Sequence, residues 1–456
     1  MTSILDIDCS ILEGGGQIIR NSLSLALITR QEIKMQNIRH NRPKPGLSNQ
    51  HLEVARLMQD ISHGRLDGAS LQSTELFLSP GTGNFIQTQL NRNIGSAGAI
   101  SLVLQSALPC MLIPHLYNTS TSSPEEDICD ITLVGGTNVP FSPPIDHLKH
   151  IILPILSTMG LKADVDILKR GYYPIGGGKV KVNAACNNSL SQLNLTDTTS
   201  PITSVRGIIY GTGTYYTTEL IQSFKSILHE KLETFLDNRS LHTALEDLRN
   251  QSIFTDELVS ISMNSHNPTN ISMKQSIKSN TKHNSSKIMH STFGVQIWLN
   301  RINGIPISAN ILYEGKKADF IDINTAAMQI IAQLSWVYDN NACIDEHTAD
   351  QLIIYMALNT TINNINTSQI LCAPRIEKDL FSVHLLEENS MKEIKQSHEH
   401  SIHSTSSITA TIPLLAKSSL HLESAIYIAE LFLNCKFTME EVGPYKCRLI
   451  TCTKKV

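Results

Sequence analysis

The chain has 456 residues, 41% of them hydrophobic, a formal net charge of −4 and nine cysteines. This length predicts two or three domains, and the near-neutral charge excludes a broad basic coat for nucleic acid. The cysteines form no CxxC pair, so we expect free, buried thiols in a reducing compartment. We find no signal-peptide pattern and no apolar run that could span a bilayer, and we expect a soluble intracellular protein.

The stretch LEGGGQIIR (12–20) places a carboxylate, three glycines and an arginine close together near the N-terminus. Apolar residues then recur at helical spacing, which predicts that the glycines open a helix. Such a start lets backbone N–H groups approach a phosphate, although a tight structural turn is the alternative. Glu13 could hold Mg²⁺ or be a surface acid. Arg20 could bind a phosphate or lie on a solvated helix face.

The next basic segment, RHNRPKPGLSNQH, holds Arg39 and Arg42 in a proline-stiffened loop. Fixed guanidinium groups suit a terminal phosphate or an RNA backbone. A basic surface loop is the alternative interpretation.

The middle of the chain alternates between helical and strand patterns. AISLVLQSALPCML and IDHLKHIILPILSTMG predict helices, and KVKVNAA predicts a strand. This alternation predicts a layered α/β or α+β fold of similar units. Two polar segments, 262–291 and 389–407, indicate disordered or looped insertions. The second segment holds His398, His400 and His403, which could bind a metal. A solvated polar loop is favoured, because no cysteine or defined carboxylate spacing supports a structural zinc site.

Near the C-terminus, SSLHLESAIYIAELF has the apolar spacing of a helix that Ser418 or Ser419 could cap. His421 then lies in the first turn, where a helix start is expected to lower its pKa and keep it neutral. A neutral imidazole beside a phosphate site could act as a covalent nucleophile. The alternative is an ordinary half-buried histidine.

Seven motifs in this order resemble the RNA 3′-terminal phosphate cyclases: DCSILEGGGQIIR, IRHNRPKPGLSNQHL, GSAGAISLVLQSALPC, VGGTNVPFSPPID, RGYYPIGGGKV, DEHTADQLIIYMAL and SLHLESAIYIAE. The resemblance covers roughly residues 4–185 and 320–440.

The resemblance implies an α+β fold of three repeated units, each with two helices and a four-stranded sheet, and a smaller inserted α/β domain. We expect the catalytic domain at 1–185 and 319–456, with a polar loop insertion at about 360–410. The inserted domain is expected at 186–318 and includes the low-complexity segment 262–291.

The family's reaction, as the resemblance implies, is ATP-dependent. A histidine takes AMP from ATP, AMP passes to an RNA 3′-terminal phosphate, and the 2′-hydroxyl then closes a 2′,3′-cyclic phosphate. ATP, Mg²⁺ (or Mn²⁺) and RNA 3′-phosphate ends are therefore the expected cofactors and partners, with no membrane. Eukaryotic relatives are largely nuclear, so the nucleus is expected ahead of the cytoplasm.

Each role is carried to the position that matches the family's motif. His421 would be the adenylated histidine and Glu13 the metal-binding glutamate. The phosphate- and RNA-binding residues would be Arg20, Arg39, Arg42 and Gln50. The ATP-binding residues would be Gln105, Pro143, His347, Asp350 and Gln351. His347 replaces an aromatic ring, commonly Tyr, and imidazole can also stack on adenine.

Two alternatives belong to other classes. A branch of the same fold lacks the catalytic histidine and serves as an RNA-binding, ribosome-assembly factor in pre-rRNA processing. The presence of His421, Glu13 and the arginines favours the cyclase over that branch. The other alternative is an RNA-binding protein that binds nucleotide but has lost turnover. It is motivated by the long loop before His421 and by the polar inserted domain, which lacks a glycine-rich stretch that the family often shows.

Overall fold

The computed structural model describes residues 4–81, 89–113, 128–185, 190–212, 218–251, 253–259, 291–315, 322–362, 367–374, 418–443 and 446–455. Within this part of the chain, sixteen strands form four mixed sheets of four strands each, and helices cover them. The predicted mixed α+β class is confirmed.

The first sheet has the spatial order β1 (Leu5–Asp8), β2 (Ile33–Gln36), β4 (Leu76–Ser79) and β3 (Arg65–Asp67). Strands β1 and β2 are parallel and the other pairs are antiparallel. Helix α1 (Gly16–Thr29) begins at the glycine run, as predicted, and α2 (Asn49–Ser62) follows β2. Residues 17–28 of α1 are all buried, so this helix lies inside the core.

The second sheet repeats this order with β5 (Gln89–Asn93), β6 (Ile128–Gly135), β8 (Gly178–Ala185) and β7 (Lys162–Lys169). The buried helix predicted between β5 and β6 is α3 (Ile100–Leu112). The next predicted helix forms as α4 (Ile145–His147), a π-helical turn (Leu148–Ile152) and α5 (Leu153–Thr158). Pro154 lies just after that turn, and proline cannot donate a backbone bond to the preceding turn, which accounts for the local widening.

The third sheet has the same order again: β9 (Asn194–Leu195), β14 (Thr367–Cys372), β16 (Cys447–Lys454) and β15 (Cys435–Val442). Helices α9 (Glu346–Ile362) and α10 (Leu420–Phe432) pack on this sheet.

Two strands of this sheet lie in segments for which the sequence predicted other roles. Strand β14 falls within the polar insertion predicted at about 360–410, because alternate residues of TSQILC are buried against the core. Strand β9 falls within the predicted inserted domain, 186–318, yet it pairs in parallel with β14.

The fourth sheet has the order β11 (Phe254–Val259), β10 (Ile202–Thr212), β12 (Ser291–Arg301) and β13 (Ile307–Gly315). Helices α6 (Thr218–Asp237), α7 (His242–Asn250) and α8 (Ile323–Asp339) share a separate hydrophobic core with it. Helix α8 falls in the segment predicted for the catalytic domain, and its buried apolar face belongs to this core.

Aromatic and ionic contacts join the fourth sheet to the second. His150 stacks on Trp298, with ring centroids 4.3 Å apart. The guanidinium of Arg170 lies 5.1 Å from the ring centroid of Tyr210 and donates two 2.8 Å hydrogen bonds to Asp146. Burial alone would raise the pKa of Asp146, but Arg170 outweighs it and holds that pKa below the ordinary value.

Arg301, the last residue of β12, contacts the chain where it leaves α8. Its guanidinium donates to the carbonyl oxygens of Ala342, at 3.2 Å, and Cys343, at 3.1 Å. Arg301 also pairs in register with Ile202, the first residue of β10. The two ends of the fourth-sheet segment are therefore held near each other.

The remaining predictions on organisation have mixed outcomes. The polar segments 262–291 and 389–407 lie outside the described residues, except for Ser291, which begins β12. The seven cysteines that can be described are free and buried, as predicted. Among the described residues, no helix is both long and apolar enough to cross a membrane.

Candidate active site

The glycine run brings the backbone of α1 against the carboxylate of Glu13. Gly14 has a φ of +58°, which glycine adopts without strain. A Cβ atom at Gly15 would lie 2.5 Å from Oε1 of Glu13, so any other residue there would displace the carboxylate. The glycines thus allow Glu13 to lie at the start of the helix, as its position in the sequence predicted.

His421 is the second residue of α10, and Ser419 caps that helix by accepting a 3.1 Å hydrogen bond from the Leu422 amide. The predicted cap and first-turn position are confirmed. Nδ1 of His421 lies 3.0 Å from Oε2 of Glu13, and 45% of the histidine side chain is exposed. Helices α1 and α10 therefore begin at one place, with the imidazole at its surface.

The predicted direction of the His421 pKa is wrong. The contact with the Glu13 carboxylate raises it above the ordinary value, against the opposing effects of burial and Arg20. Burial opposes ionisation of Glu13, but His421, Arg42 and Arg20 hold the pKa of that carboxyl below its ordinary value. A carboxylate at hydrogen-bonding distance outweighs the partial charge of a helix start. When the ring is neutral, a proton on Nδ1 leaves the lone pair on Nε2.

Arg20 is buried one turn into α1, between two glutamine side chains. Its Nε donates to Oε1 of Gln105 at 2.9 Å, and its Nη2 donates to Oε1 of Gln17 at 2.7 Å. Burial lowers its pKa to about 10, and the charges of Asp350 and Glu13 oppose that shift. Arg20 stays cationic at neutral pH, in a fixed orientation next to Glu13 and Asp350.

The proline-rich loop places its two arginines differently. Arg42 forms an ion pair with Oε1 of Glu13. Arg39, at a φ of +52°, donates to the carbonyl oxygen of Gly46 at 3.0 Å, and its pKa is lowered by burial and by Arg42. Gln50 accepts a 3.0 Å hydrogen bond from the Ala99 amide, so its oxygen joins α2 to the loop before α3.

The predicted ATP-binding residues come from three segments. Gln105 belongs to α3 and contacts Arg20 directly. Pro143 lies in the loop before α4, where its carbonyl oxygen accepts a 2.6 Å hydrogen bond from Ser101 of α3. The other three residues, His347, Asp350 and Gln351, lie on one side of the first two turns of α9.

Asp350 is the residue of the α9 group that interacts electrostatically with His421 and Arg20. Burial raises its pKa to about 7, and His347, His421 and Arg20 each oppose that shift. His347 is exposed, and its carbonyl oxygen accepts a 3.0 Å bond from the side chain of Gln351. The structure therefore brings together Glu13, Arg20, Arg42, Gln105, Asp350 and His421. Among the described residues, Pro143 and Gln50 form hydrogen bonds with Ser101 and Ala99, outside that group.

Two residues that sequence reasoning missed lie within the same group. Gln17 is buried, and its oxygen fixes Arg20. His51 is buried at the start of α2, where Nδ1 lies 2.8 Å from Oγ of Ser48. Burial, with Arg20 and Arg39, lowers the pKa of His51 to about 3, so the ring is neutral. The adjacency of Gln17 to the glycine run and the Ser48–His51 capping spacing are the signals that could have identified them.

The donor set around Glu13 fits a divalent metal that is completed by substrate. Mg²⁺ commonly takes one or two protein carboxylates and fills its other positions with water and phosphate oxygens. Glu13 offers one carboxylate above the bare backbone of Gly15. Among the described residues there is no cluster of three or more histidine, cysteine, aspartate or glutamate side chains that could hold a metal.

Comparisons with known proteins identify the family of the chain. The sequence model of the RNA 3′-terminal phosphate cyclase family matches residues 11–439. An RNA 3′-terminal phosphate cyclase of Desulfurococcus amylolyticus is 41% identical over 180 residues, which are 40% of this chain and 47% of the relative. One of Thermococcus kodakarensis is 42% identical over 176 residues, 39% of this chain and 47% of the relative.

A longer match is found to the RNA 3′-terminal phosphate cyclase of Methanosarcina mazei. It is 29% identical over 367 residues, 78% of this chain and 88% of the relative. The chain matches about half the length (47%) of the relatives from Desulfurococcus amylolyticus and Thermococcus kodakarensis. Since the family model covers most of the sequence, the chain belongs to the RNA 3′-terminal phosphate cyclase family.

Proposed function

We propose that the protein is an ATP-dependent RNA 3′-terminal phosphate cyclase that works through a covalent histidyl–AMP intermediate on His421. The observation that carries the proposal is the contact of His421 with Glu13, 3.0 Å, at the joint start of α1 and α10. Arg20 lies buried beside them and stays cationic. A nucleophile, an oriented carboxylate and a fixed cation are the groups that attack on a phosphate needs.

In the first step, Nε2 of neutral His421 attacks the α-phosphorus of ATP. The bond from that phosphorus to the bridging oxygen breaks, and pyrophosphate leaves. Glu13 keeps the Nδ1 proton in place, so the tautomer with the free Nε2 lone pair is favoured. Arg20 and Arg42 offset the negative charge of the leaving pyrophosphate. A divalent metal held by Glu13 would supply further charge neutralisation at the phosphates.

In the second step, an oxygen of the RNA 3′-phosphate attacks the phosphorus of the adenylate, and the bond to Nε2 breaks. In the third step, the neighbouring 2′-hydroxyl attacks the activated 3′-phosphate, loses its proton, and AMP leaves. Arg39 and Arg42 would bind the RNA phosphate. The bond from Arg39 to the Gly46 carbonyl supports this role, because it fixes the guanidinium in the loop.

The ATP base would lie between Pro143 and His347, with Asp350, Gln351 and Gln105 as polar contacts. Two observations support this site. His347 is exposed at the start of α9, and Asp350 and Gln105 both interact with Arg20. An imidazole ring can stack on adenine, with less contact area than tyrosine.

We also propose a refined domain arrangement. The three sheets with the same strand order would be the three repeated units of the family, each with two helices between its strands. The inserted domain would run from about 202 to 339, because β9 pairs with the third sheet and α8 packs on the fourth. The insertion before α10 would begin after residue 374, beyond β14.

Two further functional expectations stay proposals. A relative that lacks the catalytic histidine could serve ribosome assembly, but His421 and its carboxylate partner favour the enzyme. Nuclear residence is proposed from the resemblance to eukaryotic relatives and the low-complexity segments, and imaging of a fluorescent fusion tests it.

Covalent labelling tests the proposed function. Purified protein with Mg²⁺ and ATP labelled at the α-phosphate is expected to carry acid-labile label, and His421→Ala is expected to carry none. His242→Ala is the matched control, since His242 is exposed at the start of α7. Chasing the labelled protein with a 3′-phosphate RNA should release AMP and give a cyclic end. Folded wild-type protein that binds ATP without acquiring label would overturn the proposal.

A further inference from the structure

Glu346 is a buried carboxylate where the first turn of α9 meets the start of α10. Its side chain is 3% exposed. One oxygen, Oε1, accepts a 2.7 Å hydrogen bond from the backbone amide of Ser419 and a 2.8 Å bond from Nη1 of Arg448. A charge buried to this degree is stable only with partners, so these two donors fix the carboxylate in place.

The amide that Glu346 binds belongs to the residue that begins the helix of His421. Ser419 caps α10 through its own hydroxyl, and His421 follows two residues later. A carboxylate at this end also interacts favourably with the helix dipole. The position of the α10 start relative to α9 is therefore set by Glu346.

The same carboxylate begins the helix that carries the proposed nucleotide contacts. His347, Asp350 and Gln351 follow it in α9. Asp345, one residue before it, caps α9 by accepting a 2.9 Å bond from the Thr348 amide. Asp345 and Glu346 thus lie at the start of α9, and Glu346 also holds the start of α10.

We propose that Glu346 is a positioning residue that fixes the distance between His421 and the nucleotide held along α9. It touches neither substrate nor the reacting atoms, and Arg448 of β16 anchors it from the third sheet. The inference rests on the proposed function. Attack requires reacting atoms about 3–3.5 Å apart, and a displacement of about 1 Å can cost about 100-fold in rate. Loosening the α10 start should therefore slow adenylate formation and leave ATP affinity unchanged.

The chain offers a matched control for a purely structural role. Asp247 in α7 also accepts a backbone amide, that of Val205 at 3.1 Å, and an arginine, Arg206 at 2.5 Å. Its helix, α7, packs on the fourth sheet through Ala244, Leu245 and Leu248, and Asp247 has no contact with the proposed site among its hydrogen bonds and ion pairs in the described residues. Glu346→Gln and Asp247→Asn remove the same kind of charge from the same kind of contact.

Three measurements on the full chain separate the possibilities. They are hydrogen exchange of backbone amides, the dissociation constant for ATP, and the single-turnover rate of label transfer from α-labelled ATP. Glu346→Gln is expected to speed exchange at the start of α10 by about tenfold and to lower the labelling rate by about 10- to 100-fold. Its ATP dissociation constant should stay within about threefold of wild type. Asp247→Asn should keep the wild-type labelling rate.

A second pair of variants covers a failure of Glu346→Gln to fold. Ser419 has a φ of −64°, which proline also adopts. Ser419→Pro removes both the cap and the amide donor, whereas Ser419→Ala removes only the cap. A larger loss of labelling rate in the proline variant than in the alanine variant is the expected result.

Several outcomes would overturn the inference. They are unchanged exchange at α10, an unchanged labelling rate in Glu346→Gln, or an equal loss of rate in Asp247→Asn. If wild type binds ATP but acquires no label, the proposed function has failed. In that case the exchange data still decide whether Glu346 holds α10.

Discussion

Replacing Asp146 with leucine should destabilise the protein by more than the change in side-chain size alone would. Asp146 is fully buried and accepts two 2.8 Å bonds from Arg170 and one 2.9 Å bond from Asn138. Asp146→Leu leaves the guanidinium buried without its counter-charge. Removing one partner of such a pair typically costs about 3–5 kcal/mol. We expect a loss of about 4 kcal/mol in the free energy of unfolding.

The double variant Asp146→Leu, Arg170→Met separates the pair from ordinary packing. Replacing both members by apolar groups is often nearly neutral, and the Asn138 amide left unpaired costs about 1–3 kcal/mol. The double variant should therefore be more stable than Asp146→Leu by about 2 kcal/mol. The exposed pair of Arg65 and Asp67 is the control, and Asp67→Leu should change stability by about 0.5 kcal/mol or less.

Urea denaturation gives these free energies through two signals. Trp298 lies in the main hydrophobic core, and Trp336 packs against the core of the fourth sheet, so fluorescence reports both cores. Far-UV circular dichroism reports the whole. The two signals should shift together in Asp146→Leu, because Arg170 packs on Tyr210. Equal destabilisation in the single and double variants would refute the reasoning.

Three further outcomes are expected. Arg20→Lys loses the guanidinium group that two glutamines orient, so it should slow label transfer from ATP about 100-fold at saturating ATP. A rate within threefold of wild type would contradict this. The Glu13–His421 pair stabilises the folded state most between about pH 4.5 and 6.5. That stabilisation is lost as the pH rises through the raised pKa of His421, and it is also lost as the pH falls through the lowered pKa of Glu13. The melting-temperature difference between wild type and Glu13→Gln, measured without metal, should therefore shrink by pH 9, and a constant difference would count against the pair. Burial raises the pKa of Cys9 and of Cys343 to about 12, so mass spectrometry should find both unmodified by a thiol reagent until denaturant is added, and rapid native labelling would contradict their burial.

Local signals in the sequence predicted much of this arrangement. Helical spacing and glycine or serine at helix starts predicted α1, α3 and α10, because those signals act within a few residues. The direction of the His421 pKa was predicted wrongly, since it depends on a carboxylate from the other end of the chain. Burial of Glu346 could not be predicted, because its partners Ser419 and Arg448 are brought to it only by the third sheet and the helices packed on it.

Strand β14 shows a different limit. It is short and adjoins a long polar segment, so the composition of the surrounding residues predicts a polar insertion there and not a strand with alternate buried residues. Its partner β9 has two residues, too few for a periodic pattern to be recognised.

The contact of Arg301 with Ala342 and Cys343 bears on how the chain acquires its shape. Strand β9 must meet β14 across a long intervening segment, as the pairing of Asn194 with Gln369 shows. Closing so long a flexible loop costs conformational entropy and slows folding. Once the fourth-sheet segment has folded, Arg301 holds its exit near its entrance, and the effective loop becomes short. During synthesis, β14 emerges late, so the fourth-sheet segment has time to fold first. The third sheet would then form from strands whose connecting segment is already folded.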